Sequence, residues 1–272
     1  MEKNNPLPIL VTFDGEARSG KGTIVQATKD YIRDHEGHKV MLIDAGQVFR
    51  VLAVAATRAG VDLDDGAQVD AFLSDDKNAE DSVQLVKDVY HMGKDERDAL
   101  LYTNGVGLGS AKVGACGLSM TFKNSLLKKW LRDARVDGFD VVLLDGRALD
   151  EVGTMLENEG LCDFKIGLYF ICDPIIGAKR TLGLASKSYE ALTQEEKTAV
   201  DELVAQIGVR NQSDAQRAVE PIIRPNVPVS RLPEIEPATS TGRPMYLIDT
   251  SNDQSKDEMS APVTRLVTDA IR

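Results

Sequence analysis

The chain has 272 residues, room for one or two domains, and 42% of them are hydrophobic, which supplies a sizeable core and excludes a disordered polymer. Lysine and arginine number 32 against 43 aspartates and glutamates, and the net charge of −11 argues against broad binding to nucleic acid or anionic membranes. A small anion in a local basic pocket stays possible.

Residues 8–13 form an apolar, β-branched run that stops at Asp14-Gly15, the pattern of a buried strand. Residues 22–34 carry Ile24, Ala27 and Ile32 at helical spacing, and that helix ends near Gly37. A second strand spans 39–43 and ends at Asp44, followed by an alanine-rich helix over 48–59. Residues 62–117 hold no clear apolar strand and are expected to form an inserted, mostly helical subdomain. A helix over 126–136 leads to a third strand at 139–144, which ends at Asp145-Gly146. Strands four and five are expected at 164–171 and 245–248, with a helix over 194–207 between them and another over 263–271. Residues 221–244 hold six of the ten prolines and read as a long surface loop. Fully apolar strands alternating with helices give an α/β fold: a five-stranded, mainly parallel sheet covered on both faces, in one domain over 1–272.

The sharpest signal is Gly15-Glu16-Ala17-Arg18-Ser19-Gly20-Lys21-Gly22-Thr23, a G-x-x-x-x-G-K loop after an apolar strand and before a helix. Its glycines let the backbone turn and aim amide N–H groups at phosphate oxygens, and the helix start adds positive potential. Lys21 is placed to reach the outer phosphates, with the Thr23 hydroxyl near a magnesium ion. Asp145, closing an apolar strand, reads either as an outer-shell magnesium ligand or as an ordinary strand-ending turn residue. Arg210 and Arg217 lie seven apart with Asp214 between, so both are expected on one helix face, as a ligand clamp or as a solvated ion-pair surface. Trp130 reads as a packing residue.

No apolar run approaches the roughly 18 residues of a membrane-spanning helix. Residues 1–6 lack the basic-then-apolar order of a signal peptide. Three cysteines without a C-x-x-C pair fit buried thiols in a reducing compartment, and three histidines without H-E-x-x-H exclude zinc-hydrolase chemistry. A cytoplasmic protein is expected.

Four segments in order resemble the cytidylate kinase family of nucleoside monophosphate kinases: residues 12–23, 42–53, 144–147 and 209–221, the last similar to R-D-x-x-D-x-x-R-x-x-x-P. The resemblance implies a P-loop NTPase-like three-layer sandwich, with an acceptor-binding insert near 62–117 and a mobile lid near 174–206. It implies ATP and Mg2+, transfer of a phosphoryl group to CMP or dCMP, and small-molecule nucleotides as partners; the oligomeric state is unknown from the sequence, with a monomer favoured over an oligomer. Residues 15–23 and Arg180 would bind ATP. Asp44, Arg50, Lys123, Arg147, Arg210, Asp214 and Arg217 would bind the acceptor. Lys21, Asp145, Arg147, Arg210 and Arg217 would act in catalysis, with Thr23 and Asp145 at the metal.

Departures fall mainly on the acceptor side. Ala45 and Phe49 stand for a serine and a tyrosine, Ala148 for an aspartate, Asn211 for an aspartate and Lys123 for an arginine, while Arg18 replaces a loop glycine. Looser base selection is expected, because buried polar groups are what discriminate one base from another. Two further readings stay open: a phosphate-loop kinase with another monophosphate or a small hydroxyl-bearing acceptor, and a nucleotide-binding regulatory module that has lost catalysis.

Overall fold

A computed structural model describes residues 5–235, 243–252 and 255–272. The chain divides into two units: Met1–Ile43 with Leu131–Gln216 and Ile222–Arg272, and Asp44–Trp130 with Arg217–Pro221.

The first unit is built on a sheet of order β2-β3-β1-β4-β6-β5. Its strands are β1 (Ile9–Gly15), β2 (Val40–Asp44), β3 (Val141–Asp145), β4 (Asp163–Ile171), β5 (Val229–Arg231) and β6 (Met245–Asp249). The registers of β1 with β3 and β4, and of β6 with β4 and β5, are parallel. Six strands thus replace the five expected. The additional one, β5, lies inside the proline-rich stretch; only its middle residue, Ser230, is buried, so it shows no hydrophobic alternation to read. Residues 236–242 of the expected loop lie outside the described residues.

One face of the sheet presents Val11, Phe13, Leu143, Leu168, Phe170 and Ile248 to α1 (Lys21–His35) and α11 (Lys256–Ile271). On the other face Tyr169, Ile171 and Leu247 pack against Ile222 and Val227. Helix α8 (Leu149–Asn158) packs on β1 and β4. The register of β4 slips by one residue between Leu10 and Val11, so Phe164 points away from the face that Ile166 serves. Helix α11 starts at Lys256 with a Ser255–Glu258 capping box, earlier than expected, because Pro262 inside it masks the helical pattern.

Helices α9 (Pro174–Thr181) and α10 (Gln194–Ala215) bury Ala178, Leu192, Val200 and Ile207 together with Ala17. Helix α10 ends at Ala215, with Gln216 as its C-cap. Arg217 is therefore off the helix, and the expectation that Arg210 and Arg217 share one helix face is corrected. The Asp214 carbonyl accepts from Ile222 N–H at 3.1 Å, which turns the chain back just after α10, ahead of any helix that Pro221 would interrupt.

The second unit is helical among the described residues: α2 (Ala45–Arg58), α3 (Gly66–Ser74), α4 (Asp76–His91), α5 (Lys94–Leu101), α6 (Asn104–Val113) and α7 (Gly117–Asp137) up to Trp130. Asp44, Asp65, Asp75 and Thr103 cap the helices that follow them. Val51, Leu52, Val89, Leu101, Val113 and Leu126 form its core, with Trp130 packed against it. No helix among the described residues is long and apolar enough to cross a membrane.

Gly153 of α8 sits against the Phe164 ring, where an added Cβ would lie 2.4 Å from Cε1. Arg243 covers the same ring at 3.8 Å from its centroid, which limits how far the ring can retreat. Gly153→Ala should lower stability by about 1–3 kcal/mol, read from urea unfolding with an unchanged m-value.

Candidate active site

The loop from Gly15 to Lys21 is fixed by contacts from several elements of the first unit. Asp14 is buried, and its carboxylate accepts from Gly15 N at 2.6 Å and from Leu149 N at 2.7 Å. Burial pushes the Asp14 carboxyl up from the usual range, opposed by the Lys21 charge and by these two bonds. Gly15 has φ 144°, and a Cβ there would lie 2.3 Å from the Phe170 carbonyl oxygen, so only glycine fits. Glu16 N–H donates to that carbonyl at 2.9 Å, the Thr250 hydroxyl to Ser19 O at 2.8 Å, and Ala17 N–H to Asn211 Oδ1 at 2.8 Å. Arg18 and Gly20 both adopt left-handed backbone, at φ 62° and 82°. Gly20 caps α1 with no side-chain bond among the described residues, so the start of the helix keeps its positive end uncovered by a capping side chain.

The Lys21 ammonium lies 2.7 Å from Asp145 Oδ1 and also donates to the Gly146 carbonyl. Ser19 Oγ is buried with no hydrogen-bond partner among the described residues, and Asp145 Oδ1, also buried, meets only the Lys21 ammonium among them. Such oxygens beside a phosphate loop suit Mg2+, which takes one or two protein oxygens and completes its shell with phosphate and water. Thr23, in the first turn of α1, is exposed.

Arg147 forms an ion pair with the buried Asp214, and Arg210 Nε stands 3.9 Å from the same carboxylate. Those three sequence-predicted residues are brought together. Arg180 is held elsewhere in this unit: it donates to the carbonyls of Thr250, at 2.7 Å, and Asn252, and meets Cys172 Sγ. Glu16 lines a cavity of about 140 Å³ with Tyr169, Asn211, Ala215, Ile222 and Arg224. Burial raises the Glu16 carboxyl, with Arg224 opposing, and also raises the Tyr169 phenol.

In the second unit Asp44 accepts from Gln47 N at 3.0 Å and from the Tyr102 hydroxyl at 3.4 Å. Burial, helped by the Asp44 charge, pushes the Tyr102 phenol up to about 12. Arg50 stacks on the Tyr102 ring at 4.6 Å and donates to Leu101 O at 2.8 Å. Lys123 is fully buried and paired with Glu220, which also accepts from Asn124 Nδ2 at 2.9 Å. Arg217 lies near Gly114, where an added Cβ would stand 3.6 Å from its Nη2.

A cytidylate kinase family model matches residues 11–227. The chain belongs to that family. It is similar to the cytidylate kinase of Geobacter sulfurreducens, 28% identical over 216 residues, covering 79% of this chain and 82% of the relative. It is also similar to that of Bacillus pumilus, 25% identical over 222 residues, with 79% and 84% covered. The cytidylate kinase of Aeromonas hydrophila is 27% identical over 214 residues, with 78% and 81% covered.

Membership in the family leaves three residues that sequence reasoning passed over. Thr250 braces the loop from just beyond β6, a strand-end position whose signal was as plain as that of Asp145. Asn211 stood out only as a departure from the family pattern, yet its carboxamide is a direct acceptor for the phosphate loop. Glu220, the partner of Lys123, is 97 residues from it and carries no local signal. Asn211→Ala should raise the KM for ATP by about 2- to 12-fold, the range expected for one lost hydrogen bond to a backbone N–H, while Asn211→Asp restores it. Steady-state kinetics with ATP as the varied substrate reads this directly.

Proposed function

We propose that this protein transfers the γ-phosphoryl group of ATP to a nucleoside monophosphate, CMP or dCMP first, releasing ADP and the corresponding diphosphate. The observation that carries this reading is the braced phosphate loop, with Lys21 set against Asp145, in a member of the cytidylate kinase family.

In this reading the loop amides and Lys21 bind the outer phosphates of ATP, and Arg180 supports the nucleotide. Thr23 and Asp145 hold Mg2+, which neutralises phosphate charge when bound. The acceptor roles follow the family likeness: Asp44, Arg50, Lys123, Arg147, Arg210, Asp214 and Arg217 hold and orient the monophosphate. Phosphoryl transfer needs charge neutralisation and alignment more than a covalent nucleophile, and a chain of net charge −11 that places cations at these positions suits that need. The segment 62–117 is assigned to the acceptor and 174–206 to a lid that excludes water, which would otherwise take the phosphoryl group. The absent hydroxyls at Ala45 and Phe49 imply broad base tolerance, with UMP behind the cytidine nucleotides.

ADP release, coupled to a dehydrogenase and measured with CMP, dCMP, UMP and AMP in turn, tests the proposal. CMP and dCMP should give the highest kcat/KM; no ADP release with any monophosphate overturns it. In a folded Lys21→Ala protein, turnover should fall by at least about two orders of magnitude, because this amine stabilises charge in the transition state. Arg217→Ala should weaken acceptor use by about 10- to 150-fold, the value of a lost charged hydrogen bond, with far less change in the KM for ATP.

A further inference from the structure

Glu220 adopts a backbone conformation that both its residue type and its neighbour disfavour. Its φ is 50°, in the left-handed region, and the next residue is Pro221, which crowds its predecessor out of helical backbone. Strain of this kind persists only where surrounding contacts impose it. Here the side chain makes those contacts: one carboxylate oxygen pairs with the Lys123 ammonium, and the other accepts from Asn124 Nδ2 at 2.9 Å. The partners differ in their access to water. The Lys123 side chain is 2% exposed and that of Glu220 is 12% exposed, so the carboxylate is the partner able to leave.

We infer that Glu220 is a tethered counter-anion that sets acceptor affinity and specificity: its carboxylate holds the Lys123 amine, and the acceptor phosphate displaces it on binding. This rests on the reading of Lys123 as a cation for the acceptor phosphate. A buried ammonium needs an anion beside it, and the Glu220 carboxylate is in that place while no acceptor is bound. A phosphate dianion attracts the same cation more strongly than a carboxylate monoanion does. Asn124 Nδ2 remains as a donor for the incoming oxygen. On departure, Glu220 regains water and is released from its strained backbone, which offsets part of the cost of exchange. A neutral acceptor has no such means of displacing it, so the pair favours phosphorylated acceptors over nucleosides at the expense of affinity for both.

The test is calorimetric titration of CMP and of ATP into the wild-type protein, Glu220→Gln and Glu220→Gly, with folding checked by circular dichroism. Glutamine keeps the shape without the charge; glycine removes the side chain and accepts the left-handed backbone. Both variants should bind CMP about tenfold more tightly, with the KM for CMP falling while kcat and ATP affinity change less than about twofold. The gain should vanish when Lys123→Met is combined with Glu220→Gln. Unchanged or weaker CMP binding in folded variants, or a gain that survives without Lys123, overturns the inference and leaves the phosphoryl-transfer reading standing. Failure of both single variants to fold makes the pair structural and also overturns it. If CMP binds neither wild type nor variants, the acceptor reading falls and takes the inference with it.

Discussion

A phosphate-binding loop must hold several backbone N–H groups pointing inward, in a conformation that most residues resist. In this chain the constraint is met by one buried carboxylate. Asp14, next to last in β1, spends both oxygens on backbone N–H groups, one on Gly15 at the start of the loop and one on Leu149 at the start of α8. The loop and the strand-end turn carrying Asp145, Gly146 and Arg147 are thereby fixed to one another. Ala148, at φ 56°, is the strained residue that lets this turn enter α8. Replacing Asp14 would free both turns at once, and with them the relation between Lys21 and Asp145.

A second regularity is that several basic side chains assigned to the proposed site rest on oxygen acceptors of the protein itself. Lys21 meets Asp145 and Gly146 O, Arg147 meets Asp214, Arg50 meets Leu101 O, and Arg180 meets the carbonyls after β6. This fixes each cation in place before a ligand arrives, so little ordering remains to be done on binding. Under the proposed function, a phosphate would gain from each cation only the difference between its own attraction and that of the resident oxygen. For a carbonyl that difference is large; for a buried carboxylate it is small. Arg50 and Arg180 are in the first situation, Lys123 in the second.

The parts legible in the sequence were those whose physics is local. Gly15 and Gly20 mark a turn that few other residues make, and the apolar runs that become β1, β3 and β4 are buried on both faces and show it. The family pattern then located Arg147, Arg210 and Asp214, and the fold brings both arginines to the Asp214 carboxylate. What stayed hidden was decided by distant partners or by very short elements. Strand β5 is three residues long and two of them are exposed. The end of α10 before Arg217 depends on Ile222 and Pro221 closing back on Asp214, which seven-residue spacing alone does not reveal. Pro262 in α11 disguised a helix whose start is set by Ser255 and Glu258.

The path of the chain has a consequence for dissecting this protein. The backbone passes between the two units at four joints, and the second unit receives the five residues Arg217–Pro221 from a part of the sequence otherwise belonging to the first. A continuous fragment spanning 44–130 would therefore not be a module. It would contain Lys123 and Asn124 without Glu220, the carboxylate both of them meet, and it would lack Arg217 as well. Grafting or swapping this helical unit between related enzymes requires two separate pieces of sequence to travel together, one of them only five residues long.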